Sequence, residues 1–181
     1  PAFRVGDVHG QPLNLEDLRG RRVLLSFFRD TACPFCNLRV FELSNEYAAL
    51  SERGMEIVVV FRSSPEAVRR FVARRPRPFR LVADPALAAF AGYGIERSAG
   101  GLMRAMVRRM PRLLRGLWLG QSRMPAGHRT LLPADFLIDE RGYVRRAFYG
   151  RDLGDHLPLE EVRRFAVRNG SGARPAIRVA R

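Results

Sequence analysis

Cys33-Pro34-Phe35-Cys36 constrains this chain more than any other stretch. An apolar run, Val23-Leu24-Leu25-Ser26-Phe27-Phe28, precedes it, and a helical pattern from about Pro34 to Arg53 follows. Two cysteines at this spacing, at a strand-to-helix junction, form a redox signature. A helix N-terminus presents free N–H groups and the positive end of the macrodipole, both of which favour an anion. A cysteine there falls from its ordinary pKa of ~8.5 into a range of roughly 3.5–7.5. The spacing brings Cys36 round one helical turn, close enough to attack a sulfur on Cys33. Pro34 suits the first turn because its missing N–H would have had no partner there.

Two duller uses of the pair stand beside this one. A structural zinc site takes four ligands, and the histidines His9, His128 and His156 are isolated in the sequence, so no metal is expected. A structural disulfide across so short a loop would constrain the unfolded chain little, because the entropic gain grows with loop length.

The length of 181 residues suits one domain with a real core and some additions. No apolar stretch reaches the ~20 residues of a membrane span. No secretory leader is visible, although the chain begins at Pro1 without Met. Two cysteines in a redox motif suit a reducing compartment, and a cytoplasmic location is expected. The formal net charge is +14, and every basic residue is arginine. A basic surface attracts nucleic acid, anionic lipid or acidic substrates. Total exclusion of lysine has the character of a coding bias, so the charge is read as a solvated surface and nucleic acid is not expected as a partner.

Along the chain, Phe3 to Gly20 reads as an N-terminal hairpin or cap with a turn at Asp7–Gly10 and a small turn through Leu13, Leu15 and Leu18. Arg22–Phe28 and Met55–Phe61 are continuous apolar runs, hence buried strands expected to lie parallel. Between them, Leu38, Phe41, Leu43, Tyr47 and Leu50 mark the core side of the helix that Gly54 ends. Ser64 and Pro65 open a second helix with Ala67, Val68, Phe71 and Val72 inward. Phe79–Ala83 is a short strand, and Asp84-Pro85 caps a small helix through Phe90. Asp135–Asp139 and Tyr143–Tyr149 form a hairpin across Glu140-Arg141-Gly142. A last helix starts at Pro158, with Val162, Phe165 and Val167 inward. Residues 169–181 are expected to be a disordered basic tail.

Residues 97–129 stand apart. No Asp or Glu occurs from Arg97 to Ala134, while Leu102, Met103, Met106, Val107, Met110, Leu113, Leu114, Leu117 and Trp118 recur at helical spacing among arginines. Pro111 should break or kink the pattern. One reading is an amphipathic helix or two whose apolar stripe covers the domain or a twin subunit in a homodimer. Another is weak contact with an anionic membrane. Nucleic-acid binding is disfavoured because aromatic stacking groups are nearly absent.

Strand, Cys-x-x-Cys helix, strand, helix, β-hairpin and final helix is the thioredoxin order. Phe27-Phe28-Arg29-Asp30-Thr31-Ala32-Cys33-Pro34-Phe35-Cys36-Asn37, followed by Glu42-Leu43, resembles the active-site segment of peroxiredoxin-like proteins of the alkyl hydroperoxide reductase/thiol-specific antioxidant group. Leu132-Pro133-Ala134-Asp135-Phe136-Leu137-Ile138-Asp139-Glu140-Arg141-Gly142 is similar too, and Pro133 matches the cis-proline that lies against the Cys-x-x-Cys in thioredoxin-like proteins. Gly10 to Gly20 resembles the N-terminal segment of the same group. The likeness covers most of residues 1–168, with 97–129 as an insertion.

The resemblance implies an α/β, thioredoxin-like fold: a central mixed sheet flanked by helices, with an N-terminal extension and the basic helical insertion. It implies a thiol–disulfide oxidoreductase that uses the Cys33/Cys36 dithiol, without a cofactor, to reduce disulfides or peroxides, and that a thioredoxin- or glutathione-type thiol recycles. Pro133 would shape the substrate groove. Arg29, Asp30 and Thr31 are candidates for tuning the thiolate: Arg29 lends it positive charge or is a solvated loop charge, and Asp30 accepts a proton or merely turns the chain. The pattern departs from typical peroxiredoxins, which carry Pro-x-x-x-Thr-x-x-Cys. Ser26 stands in the proline place, Asp30 in the threonine place, and Thr31 one residue late. Ala32 stands where thioredoxins have Trp. A thiol peroxidase proper, and a membrane-peripheral or interaction protein working through residues 97–123, are the alternatives.

Overall fold

The computed structural model describes residues 4–95, 110–118 and 131–167. The rest of the expected insertion, 97–109 and 119–129, and the 169–181 tail lie outside the described residues. A hairpin, β1 (Arg4–Gly6) and β2 (Pro12–Asn14), leads through a single 3-10 turn (Leu15–Leu18) into β3 (Arg22–Phe28) and α1 (Pro34–Ser51). Next come β4 (Met55–Phe61), α2 (Pro65–Arg74), β5 (Arg80–Ala83) and α3 (Ala88–Gly92). The helix α4 (Met110–Trp118), the pair β6 (Ala134–Ile138) and β7 (Val144–Tyr149), and α5 (Leu159–Val167) complete the described chain.

Five strands form a mixed sheet in the order β5-β4-β3-β6-β7. β3 runs parallel to β4 and antiparallel to β6, so it is the central strand. Both β3 and β4 are buried at all seven positions, which is why their sequences run apolar rather than alternating. Alternate residues serve two layers. Leu24, Phe28, Ile57, Val59 and Phe61 pack with residues of α1, α2 and α5. Leu25, Phe27, Val58 and Val60 pack on the other face with Leu13, Leu18, Phe90, Tyr93 and Phe136. There Phe27 meets the rings of Phe90, Tyr93 and Phe136 at centroid distances of 5.0, 5.1 and 5.8 Å.

In α5, Val162 is buried as expected and Phe165 packs half-buried against the same core, joined by Ala166, while Val167 points to solvent. Pro111 stands in the first turn of α4, where a residue without an N–H costs no hydrogen bond; the part of the expected pattern before Met110 lies outside the described residues. Met110, Leu114, Leu117 and Trp118 are exposed, Trp118 by 84%. The helix instead turns Gly116 and the half-buried Arg112 toward α1, where Arg112 meets Glu42 and Gly116 meets Pro34.

Candidate active site

The central strand ends at Phe28 and the chain passes through a tight loop into α1. Asp30 builds that loop: its carboxylate accepts the Ala32 N–H at 2.7 Å, and its carbonyl accepts the Cys33 N–H at 3.2 Å. Thr31 is tied outward, its N–H donating to Ser63 Oγ at 3.1 Å on the neighbouring β4–α2 loop. Cys33 is the N-cap of α1, with extended backbone angles (φ −73°, ψ 123°), and Pro34 is the first helical residue. The Cys33 carbonyl accepts the Asn37 N–H at 2.9 Å, which starts the helix.

The two thiols are both reduced and both buried, Cys33 with 1% of its surface exposed and Cys36 with 2%. Their acidities diverge. A hydrogen bond from the Cys36 thiol, the charge of Arg29 and the Cys36 backbone N–H outweigh the cost of burial and bring Cys33 down to about 6. Burial, then the neighbouring Cys33 sulfur, pushes Cys36 well above the ordinary thiol value. Arg29 is 5% exposed at the end of β3. Burial works against its charge, but the attraction of the two sulfurs prevails and its pKa rises. It is therefore not a solvated loop charge but the cation of this site. Asp30 serves as the turn residue, and no described contact of Thr31 leads to a sulfur.

Pro133 departs from its expected state. The Leu132–Pro133 peptide is trans, as are all the described peptide bonds. The Pro133 carbonyl accepts the Gly150 N–H at 2.9 Å, and a Cβ on Gly150 would stand 2.9 Å from the Pro133 ring. The residue is held by the start of the β7–α5 loop and leads straight into β6 as an ordinary trans proline.

Sequence reasoning missed a buried polar network in the same layer as the cysteines. Asp135 on β6 accepts hydrogen bonds from Ser26 Oγ and from the Leu157 N–H at 2.7 Å, and lies 3.1 Å from His156 Nδ1. Burial opposes ionisation, but His156, Arg39 and Ser26 together hold its carboxyl down at about 2. Arg39, one turn past Cys36 on α1, donates to the Leu157 carbonyl at 2.7 Å and lies 3.7 Å from Glu42, which pairs with Arg112 of α4 at 3.0 Å. The available signal was a Ser and an Asp set among apolar neighbours in residues 23–28 and in Ala134–Ile138, since buried polar groups need partners.

This chain is similar to known proteins that include a thiol-disulfide oxidoreductase and a peroxiredoxin. It is 35% identical to the thiol-disulfide oxidoreductase ResA of Halalkalibacterium halodurans over 95 residues, 52% of this chain and 53% of that protein. It is 29% identical to peroxiredoxin Bcp of Escherichia coli over 84 residues, 46% of this chain and 54% of that protein. The chain thus matches about half the length of each of these relatives. Among solved structures, peroxidoxin BcpB of Mycobacterium tuberculosis superposes with a TM-score of 0.66 at 16% identity, covering 93% of this chain and 95% of that one. The bacterioferritin comigratory protein of Xanthomonas campestris gives 0.61 at 17% identity, covering 81% and 80%. These two share the fold of this chain. The model of the AhpC/TSA family matches residues 1–147, from the N-terminal hairpin through the dithiol helix to β7, and the chain belongs to that family.

Proposed function

We propose that this protein is a thiol–disulfide oxidoreductase of peroxiredoxin-like type, with Cys33 as the attacking thiolate and Cys36 as the resolving thiol. The observation that carries this reading is the split in acidity across one helical turn. With its pKa at about 6, Cys33 has about ten thiolates for each thiol at pH 7, while Cys36 keeps its proton. Only the thiolate is a nucleophile.

Against a peroxide, the Cys33 thiolate attacks the distal oxygen. The O–O bond breaks, an alcohol or water leaves with a proton, and Cys33 becomes a sulfenic acid. Cys36 then attacks that sulfur, its proton leaves with the hydroxide as water, and the Cys33–Cys36 disulfide forms. Against a disulfide, Cys33 attacks one sulfur and expels the other as a thiolate, and Cys36 releases the second thiol from the mixed disulfide. Both routes end in the same oxidised pair, which an external dithiol, or two monothiols, returns to the reduced state. Peroxide attack by a thiol peroxidase proper differs only in the first acceptor.

The test is the rate at which fully reduced protein reacts with one equivalent of hydrogen peroxide or of a small disulfide, with intact mass read at each time. Rapid loss of two hydrogens with either oxidant is expected, and the faster oxidant identifies the substrate class. Slow reaction with both would overturn the reading.

A second role attaches to α4, whose exposed Met110, Leu114, Leu117 and Trp118 share a short helix with exposed Arg115. That combination suits contact with an anionic membrane surface. Co-sedimentation with vesicles containing phosphatidylserine at low salt is expected. Failure to sediment would dismiss it, and a dimer in analytical ultracentrifugation would point instead to a second copy on this face.

A further inference from the structure

The first half of α1 is buried on every side from Pro34 to Val40, which is unusual for a helix that would otherwise show one face to water. The described element on its outer side is α4. Two of the contacts between α4 and α1 lie four residues apart, and so on one face of α4. Arg112 pairs with Glu42 at 3.0 Å. Gly116 is buried against the Cys-x-x-Cys itself: a Cβ added there would stand 2.4 Å from the Pro34 carbonyl oxygen and 2.8 Å from its carbonyl carbon. No real Cβ takes up such a position, so this close approach of two backbones is open to glycine alone.

The seat matters because the dithiol is nearly inaccessible when α4 rests on it. A thiolate with 1% of its surface exposed cannot receive a disulfide carried on another protein, whose two sulfurs and flanking backbone must line up with Cys33. A peroxide of a few atoms needs much less room.

We propose that α4 is a cover on the dithiol, seated by Gly116 on Pro34 and fastened by Arg112 to Glu42, and that this seat sets the size of oxidant that reaches Cys33. The cover itself rests on geometry alone; the size selection rests on the redox reading given above. Gly116 is thus a specificity-determining position that acts through the seat of α4 on Pro34. Lifting α4 breaks the Arg112–Glu42 pair and uncovers the Gly116–Pro34 contact, an opening of the kind that locally mobile elements undergo without global unfolding.

The experiment compares wild type with Gly116→Ala and, separately, Arg112→Ala. Alanine is the better helix former, so Gly116→Ala lifts the seat without melting α4. Arg112→Ala removes a half-buried pair and leaves the fold intact even if the first variant fails to fold. Alkylation of the reduced protein by iodoacetamide is followed by intact mass at fixed pH. Oxidation by hydrogen peroxide and by a bulky protein disulfide such as insulin is followed in parallel.

Alkylation of Cys33 should rise roughly tenfold in each variant. Reaction with the protein disulfide should rise by a similar factor, and that with peroxide should change by no more than about twofold. Alkylation at the wild-type rate in both variants would overturn the cover. Faster alkylation with oxidation by both oxidants raised equally would keep the cover and overturn the size selection. Faster alkylation with no oxidation in any variant would leave the cover standing and fell the redox reading instead.

Discussion

Ser26 and Asp135 face each other across the β3–β6 register and share a hydrogen bond in the middle of the sheet. They place a carboxylate, fully enclosed, in the layer that also holds the dithiol. Breaking a buried pair costs more than the pair itself contributes, because the orphaned partner stays buried. Asp135→Ala should therefore lower the unfolding free energy by about 3–5 kcal/mol, read from urea denaturation at pH 7. A loss under about 1 kcal/mol would mean the network contributes little.

The same carboxylate gives a pH dependence. Its folded pKa of about 2 lies below its ordinary value of 3.8, so the folded state binds the proton more weakly than the unfolded chain does. Its contribution to stability is fully present above about pH 4 and is lost as pH falls toward 2. Urea midpoints measured at intervals from pH 5 to pH 2 should fall across that window in the wild type and less steeply in Asp135→Asn.

Arg29 should set the acidity of Cys33. The pH profile of Cys33 alkylation is expected to have its midpoint near 6 in the wild type. In Arg29→Gln the midpoint should move up by about 1 unit, because an adjacent opposite charge favours the ionised form. An unchanged midpoint would assign the acidity to Cys36 and the helix end alone.

Removing either thiol should arrest a different step. Cys33→Ser should abolish turnover with either oxidant. Cys36→Ser should react once and stop, its mass raised by one oxygen after peroxide or by one thiol after a disulfide. Equal turnover in the two variants would contradict the assignment of attacking and resolving roles.

Phe27 offers a control on the opposite layer. Its ring lies among Phe90, Tyr93 and Phe136, on the face of the sheet away from the cysteines. Phe27→Ala should cost about 3–5 kcal/mol of stability and leave the midpoint of Cys33 alkylation in place. A shift in that midpoint would show that the two layers are coupled.

The strands and the dithiol helix were legible because their signals are local. Arg22–Phe28 and Met55–Phe61 are apolar at nearly every position, and the Cys-x-x-Cys lies between a strand and a helix with proline at its first position. What stayed hidden depends on pairing across the fold. His156 and Asp135 are 21 residues apart, and Arg39 and Leu157 are 118 apart, so no spacing rule joins them. Arg29 looked like a loop charge because nothing in its neighbours reveals that the loop is enclosed. In α4 the apolar residues recur at helical spacing, but Met110, Leu114, Leu117 and Trp118 are exposed and Gly116 meets Pro34, and a glycine carries no periodic signal.

The N-terminal hairpin bears on how copies of this protein meet. A five-stranded sheet has two free rims, here β5 and β7. Val8 donates its N–H to the Leu81 carbonyl at 3.0 Å, and Asp7 bridges to Val82, so the hairpin occupies the rim of β5. Among the described residues, the rim left for an incoming strand, whether from a second copy or from an unfolding neighbour, is that of β7. That strand carries consecutive arginines, Arg145 paired with Asp139 at 2.6 Å and Arg146 with Glu161 at 3.4 Å, and a flat strand laid against it would have to accommodate these charged side chains. The fold thus closes one rim with its own chain and guards the other with charge, the means by which sheet proteins at high concentration resist edge-to-edge aggregation.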